Sequence, residues 1–79
     1  MNSNDVKIGD HLGFIPRLQE DEELIYWYIV TNIVDETIYL DGFKQCHIEK
    51  YNLQKCFEDK IAFIANTEQE KLFYKLKVK

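Results

Sequence analysis

The pattern of hydrophobic and polar positions is dominated by residues 24–34, where β-branched and aromatic side chains make up most of the run. Side chains of these types pack well on a pleated, half-buried surface, so the run predicts the central strand of a sheet. Alternate side chains of a strand point to opposite faces. This alternation places Tyr26, Tyr28 and Val30 on one face, and Ile25, Trp27, Ile29 and Ile33 on the other. Both sets are apolar or amphipathic, which predicts that both faces are at least partly covered.

Shorter strand patterns flank the central strand. Residues 11–18 form the first strand. Proline lacks a donor for the ladder, so Pro16 predicts that this is an edge strand or that it ends near this residue. After the central strand, a compact hairpin connection leads to a return strand over residues 37–41, which Gly42 ends. A fourth short strand is predicted over residues 44–49.

The segments between these strands are predicted to be irregular. Residues 1–6 form a flexible leader, and residues 7–10 form a tight turn because Gly9 accepts a positive φ. The acidic stretch 19–23 is a solvated loop. Residues 50–57 read as a less regular connector to the C-terminal region.

The C-terminal region carries two competing patterns. On a helix of 3.6 residues per turn, one apolar stripe collects Phe57, Ile61, Ile64, Ala65, Leu72 and Leu76. We predict from it a helix over residues 59–72, with Asp59 as its cap. The competing pattern is the strict apolar alternation from residue 71 to residue 78, which is typical of a strand. Residues 67–70 are then either a hairpin loop or the capping box of a second helix.

These patterns predict a mainly β fold with some α content. The expected architecture is a small antiparallel barrel or a curled sheet of four or five strands, with a C-terminal helix. Seventy-nine residues make a single domain, 1–79. Within it we expect the leader 1–6, a β-rich barrel over residues 7–57, and a helix or hairpin over residues 58–79.

Charge is unevenly distributed along the chain, whose net charge is −4. Residues 1–41 hold nine acids against Lys7 and Arg17, whereas residues 42–79 hold eight lysines against five acids. The two halves either neutralise each other in the fold or present two faces to two partners. The acidic balance disfavours a dedicated nucleic-acid binder, which usually shows a strong basic excess.

The N-terminal residues and the two cysteines indicate the cellular compartment in which the protein is expected. The N-terminal residues 1–5 are polar and lack the basic and apolar regions of a signal peptide, and no stretch approaches the roughly 20 apolar residues that span a bilayer. We therefore expect a cytoplasmic protein without membrane attachment. Cys46 and Cys56 are then reduced thiols.

The sequence contains no catalytic signature. Cys46, His47, Cys56 and His11 are its whole supply of thiol and imidazole groups. Structural zinc sites usually take ligands in close pairs, but adjacent residues on a strand, such as Cys46 and His47, point to opposite faces. A Cys–His nucleophile would need an oxyanion site, and no Gly-rich elbow is present. We therefore predict that the protein is not an enzyme and has no cofactor and no metal.

Two stretches carry a resemblance. Lys7-Ile8-Gly9-Asp10, followed by a hydrophobic strand, an aromatic-rich strand and a hairpin, resembles the opening of small barrels of the Src-homology-3-like type. The whole chain, with LQKCFEDKIA at residues 53–62, is similar to short proteins of bacteriophages and mobile elements of low-GC bacteria. Those proteins usually have an acid where Ile61 stands. The resemblance implies a fold and an origin, and it transfers no catalytic residue.

Because the sequence contains no catalytic signature, we expect the protein to act by binding. Candidate contact residues are the acidic loop and a set of aromatic residues: Glu20, Asp21, Glu22, Glu23, Tyr26, Tyr28, Phe63 and Tyr74. Tyr26 and Tyr28 share a strand face with each other, and on a helix Phe63 and Tyr74 would point away from the apolar stripe and be exposed. For each group the competing interpretation is structural: a solvated loop, or a covered core face.

We expect a non-enzymatic protein–protein interaction module, in its narrower form a phage-encoded inhibitor of a host protein. The alternative is a weak nucleic-acid-binding small barrel, with phosphate contacts from Lys71, Lys75, Lys77 and Lys79. A homodimer built by edge-strand pairing is a further alternative.

Overall fold

A computed structural model describes residues 1–15 and 25–78 of the chain, with side chains as far as Phe73. Within these residues, the strands are β1 (His11–Phe14), β2 (Tyr26–Val34), β3 (Thr37–Gly42), β4 (Cys46–Glu49) and β5 (Ala62–Ile64). A short 3-10 helix covers Ser3–Asp5, and the α-helices are α1 (Lys50–Glu58) and α2 (Glu68–Val78). No helix in the described ranges is long and apolar enough to cross a membrane.

The strands form a single antiparallel sheet in the order β4-β3-β2-β1-β5. The predicted mainly β fold with helical content is therefore confirmed. In the described part of the chain β4 and β5 lie at opposite edges and do not pair, so the sheet is open and the closed-barrel form is not adopted.

The central strand contains a β-bulge that changes its alternation. Val30 pairs with Leu40 and Asn32 pairs with Tyr39, so Thr31 is an extra residue on β2. A bulge shifts every later side chain by one position relative to simple alternation. Ile33 therefore packs against the core together with Val30. The prediction that Ile33 shares a face with Trp27 is wrong for this reason.

The core lies on one face of the sheet, between the strands, α1 and residues 1–6, which we call the N-terminal segment. Its most buried side chains come from all of these elements, namely Val6, Leu12, Val30, Ile38, Leu40, Leu53, Phe57 and Ala62. Leu53 and Phe57 are one helical turn apart, so α1 presents both to the sheet. The prediction of an irregular connector over residues 50–57 is wrong, because burial of these two side chains makes the segment a helix.

The predicted helix over residues 59–72 is also wrong. Asp59 is the C-cap of α1, and Lys60 has a φ of 61°, a left-handed conformation that ends the helix. Residues 62–64 then pair with β1 as β5. The apolar stripe combines residues from the end of α1, from β5 and from α2, which are separate elements.

The Thr67 side chain caps the start of the second helix. The Thr67 hydroxyl accepts a hydrogen bond from the Glu70 N–H at 3.1 Å, and also donates to the Glu70 carboxylate at 3.1 Å. The first bond satisfies one of the backbone N–H groups that have no partner within the first turn of α2. Of the two alternatives for residues 67–70, the start of a second helix is confirmed. The strand alternative for residues 71–78 is wrong, because these residues continue α2.

The N-terminal segment packs against the fold in place of a loose leader. Ser3 and Val6 are buried, and the Ser3 N–H donates to the Gln54 side-chain oxygen on α1 at 2.8 Å. At the other end, Ile64 of β5 donates its backbone N–H to the Met1 sulfur at 3.1 Å. The segment therefore ties α1 to the edge of the sheet.

Candidate interaction surface

The face of the sheet opposite the core is here called the outer face, and α2 contacts it through Lys71. On this face Trp27 and Phe63 meet edge to face with ring centroids 5.5 Å apart. Gly13 leaves room for them, because a Cβ there would collide with the Phe63 ring. The Lys71 ammonium lies 5.4 Å from the Trp27 ring centroid and 3.8 Å from a Glu68 carboxylate oxygen. Lys71 thus joins α2 to the sheet by a cation–π contact.

The rest of the outer face leaves large apolar side chains exposed to solvent. Ile29, Val34 and Tyr39 are 40%, 47% and 41% exposed, and we call these three residues the outer-face patch. Their neighbours on β3 and β4 are polar: Ile29 pairs with Asp41, and the Tyr39 ring lies 5.9 Å from the His47 ring. An apolar centre with a polar surround is the composition of a protein-binding surface.

A shallow recess of about 470 Å³ lies beside the outer-face patch. Its lining is formed by Thr31, Asn32, Val34, Tyr39, Leu40, Asp41, Gln45 and Cys46. The β-bulge at Thr31 forms one wall, since a bulge bends its strand and increases the local twist. The Thr31 hydroxyl donates to the Tyr39 carbonyl at 3.3 Å across this bend. The recess therefore offers amide, carboxylate and hydroxyl groups around the Tyr39 ring.

The structure separates the two tyrosines of β2 by environment. Tyr28 is half-buried against the core, and its ring meets Phe14 edge to face at 5.6 Å. Burial raises the pKa of the Tyr28 phenol above its ordinary value of 10.0, and the nearby Cys46 and Tyr26 raise it further. Tyr26 is half-buried, and its ring stacks on Phe43 at 5.4 Å. Phe43 itself is 74% exposed, so Tyr26 contributes to a small exposed aromatic pair.

The other predicted contact residues fall into two groups. Phe63 is buried, with 4% of its surface exposed, because it lies on β5 rather than on a helix. The prediction of an exposed aromatic at this position is wrong. The acidic residues Glu20, Asp21, Glu22 and Glu23 lie outside the described residues, and so does the side chain of Tyr74.

The lysines proposed for phosphate contacts are described only in part. Lys71 is held by Trp27 and Glu68, with 24% of its side chain exposed. The side chains of Lys75 and Lys77, and the whole of Lys79, lie outside the described residues. One of the four cations is thus already engaged within the fold.

The thiol and imidazole groups do not converge in the described part of the chain. Neither Cys46 nor Cys56 forms a disulfide there, and both are half-buried beside the core. No group of three or more His, Cys, Asp or Glu side chains with metal-site geometry occurs among the described residues.

Sequence reasoning alone did not identify the outer-face patch as a unit. Ile29 and Tyr39 lie on strands that the hydrophobic pattern predicts, but β2 carries apolar side chains on both faces, so the pattern does not show which face packs against the core. One usable signal was present: Thr31 and Asn32 interrupt an otherwise apolar strand, which is typical of a bulge or an exposed position.

Comparisons of the chain with models of known protein families, with curated proteins and with solved structures found no match.

Proposed function

We propose that this protein is a non-enzymatic interaction module that binds another protein through the outer-face patch. The observation that carries the proposal is the exposure of Ile29, Val34 and Tyr39 together on one face of the sheet. Exposed apolar side chains that cluster and are rimmed by polar groups are typical of protein-binding sites.

The recess suggests the chemistry of the partner. Tyr39 is a rigid amphipathic side chain of the kind that anchors interfaces, and the amides of Asn32 and Gln45 both donate and accept hydrogen bonds. Asp41 adds a carboxylate at the rim. A matching partner presents an apolar or aromatic side chain to the recess, with a hydrogen-bond donor or cation beside it for Asp41.

In its narrower form the proposal is a phage-encoded inhibitor that acts on a host protein in the cytoplasm. It is supported by the acidic character of residues 1–41 and by the resemblance to short phage proteins. An acidic surface favours a basic target, such as the substrate channel of a nucleic-acid enzyme. Direct nucleic-acid binding ranks second, because the Lys71 ammonium is engaged by Trp27 and Glu68.

Site-specific photo-crosslinking tests the proposal. A benzophenone amino acid replaces Tyr39 in one variant and Tyr51 in a matched control, since Tyr51 is an aromatic residue that is 64% exposed on α1. Each variant is irradiated in extract of the source organism, and the adducts are identified by mass spectrometry. We expect a discrete protein adduct from position 39 and none from position 51.

Competition establishes specificity. Excess unlabelled wild-type protein should suppress the adduct at position 39, and excess Tyr39→Arg should not, because it places a charge at the centre of the patch. Identical adducts from positions 39 and 51, or the absence of a competed adduct at 39, would contradict the proposal.

A further inference from the structure

The two edges of the sheet differ in what covers them. At the β5 edge, the Ile64 N–H donates to the Met1 sulfur, and Gln54 holds Met1 and Ser3 in place through hydrogen bonds of 3.4 Å and 2.8 Å. At the β4 edge, the described residues provide no neighbour beyond β3. An uncovered strand edge is a template for pairing with another strand.

The ladder between β3 and β4 determines which backbone groups face outward. The Lys50 N–H donates to the Glu36 carbonyl at 2.8 Å. Hydrogen-bonded pairs recur at every second residue of an antiparallel ladder, so Ile48 bonds to Ile38 while His47 and Glu49 direct their backbone groups away from β3. The close Thr37–Glu49 side-chain contact at 3.2 Å agrees, because side chains approach most closely at the non-hydrogen-bonded pairs.

We propose that a second copy of this chain pairs with β4, antiparallel and about a two-fold axis at Ile48. In this register Ile48 lies opposite the second copy's Ile48. His47 of each copy lies opposite Glu49 of the other copy, so this pair occurs two times in the dimer. The strand is therefore self-complementary, with an apolar pair at the centre and an imidazole against a carboxylate on each side.

The backbone of Glu49 fixes the hydrogen bonds of this contact. Glu49 is the N-cap of α1, so its carbonyl accepts from the first turn of that helix. Its N–H remains for the second copy, and donates to the carbonyl of the second copy's His47. The two-fold axis generates the same hydrogen bond a second time, from the second copy's Glu49 N–H to the His47 carbonyl of the first copy.

The dimer joins the two sheets into one continuous sheet. A two-fold axis perpendicular to the sheet keeps both outer faces on the same side, so the two recesses lie on either side of the axis. The inference rests on the β4 edge, and it stands whether or not the outer-face patch binds another protein.

Sedimentation equilibrium of the wild-type chain is the first test. We expect the mass to rise from 9.5 kDa toward twice that value as concentration increases, with a Kd between about 1 μM and 1 mM because the contact is small. A mass of 9.5 kDa up to about 1 mM would overturn the proposal.

A proline tests the outward N–H of Glu49. The φ of Glu49 is −73°, which proline adopts without strain, and Ile48 before it is extended as proline requires. Glu49→Pro removes the N–H and the carboxylate, whereas Glu49→Ala removes only the carboxylate. Both should keep the wild-type near-ultraviolet circular dichroism. We expect Glu49→Ala to weaken association and Glu49→Pro to abolish it, whereas association of Glu49→Pro at wild-type strength would overturn the proposal.

Substitutions at exposed His47 test the register and do not disturb the ladder. His47→Glu places like charges opposite Glu49 twice and should weaken association about three- to tenfold. His47→Lys places opposite charges at these positions and should leave association unchanged or stronger, and Gln69→Glu on α2 controls for the added negative charge. Equal weakening by His47→Glu and His47→Lys would overturn the pairing of His47 with Glu49.

Discussion

At the scale of single residues, the tightest constraint on side-chain size lies where β3 passes β2. Gly42 pairs with Tyr28, and a Cβ at Gly42 would collide with the Trp27 carbonyl oxygen and come within 3.1 Å of the Tyr28 Cα. Both obstacles are backbone atoms, which cannot rotate away as a side chain can. The expectation that Gly42 ends β3 was therefore incomplete: the glycine is part of the strand and permits the close pairing.

We expect Gly42→Ala to reduce the free energy of unfolding by about 1–3 kcal/mol, because β2 or β3 must shift to admit the methyl group. Asp41→Ala is the matched control: it changes the neighbouring residue of the same strand, whose side chain is exposed, and should stay within about 0.5 kcal/mol of wild type. Urea unfolding followed by Trp27 fluorescence measures both. A Gly42→Ala variant as stable as Asp41→Ala would refute this account.

At the scale of elements, the N-terminal segment depends on one side chain of α1. Gln54 accepts a hydrogen bond from the Ser3 N–H, and its amide donates to the Met1 carbonyl and to Glu58. This arrangement keeps the Met1 side chain over the β5 edge. The segment acts as edge protection for a strand of only three residues.

We expect Gln54→Ala to release the N-terminal segment and to cost about 1–2 kcal/mol of unfolding free energy, since it removes a partner from partly buried groups. Hydrogen–deuterium exchange should accelerate at the Ile64 amide, which loses its cover when Met1 leaves. Lys55→Ala changes the next, exposed residue of α1 and should leave exchange at Ile64 unchanged. Unaltered exchange in Gln54→Ala would show that Gln54 does not hold the segment.

The elements also show what the sequence could and could not predict. The strands β2 and β3 follow from local residue types, because a long β-branched and aromatic run and a short hairpin leave little choice. The helix α1 does not, since Leu53 and Phe57 reveal its buried side only once a sheet lies opposite them. The stripe that predicted a helix over residues 59–72 failed because Lys60 adopts a left-handed conformation that a periodicity count does not register.

At the scale of the whole molecule, one face of the open sheet packs against the core and the other face is partly exposed to solvent. The core joins the sheet, α1 and the N-terminal segment, whereas on the outer face Lys71 of α2 contacts Trp27. The site followed less readily from the sequence than the fold did. Tyr39 is exposed because it lies on the face of the sheet opposite the core, and the recess beside it depends on the bulge at Thr31.

The raised pKa of Tyr28 predicts how stability changes at high pH. The native state keeps the phenol protonated at a pH where the unfolded chain has already lost that proton. Stability from this group is therefore complete below the unfolded value of 10.0 and is lost as pH rises through the native pKa.

Urea midpoints on either side of pH 10.0 measure this loss of stability. We expect Tyr28→Phe to lose less stability than wild type over the same interval, because it has no phenol to ionise. The unfolding free energy of the variant at neutral pH provides the reference. An equally steep alkaline loss in Tyr28→Phe would assign the effect to other groups.

The bulge at Thr31 makes the length of the chain, rather than the identity of a side chain, a determinant of surface shape. Val30 faces the core and Asn32 pairs with Tyr39. A chain without Thr31 would therefore alternate regularly, and β2 would keep its present pairing with β3 on both sides of the deletion. A one-residue deletion would straighten β2 and flatten the recess, while every core residue kept its place. Position 31 is therefore a point where evolution can remodel the outer surface by an insertion or a deletion, without a compensating change in the interior.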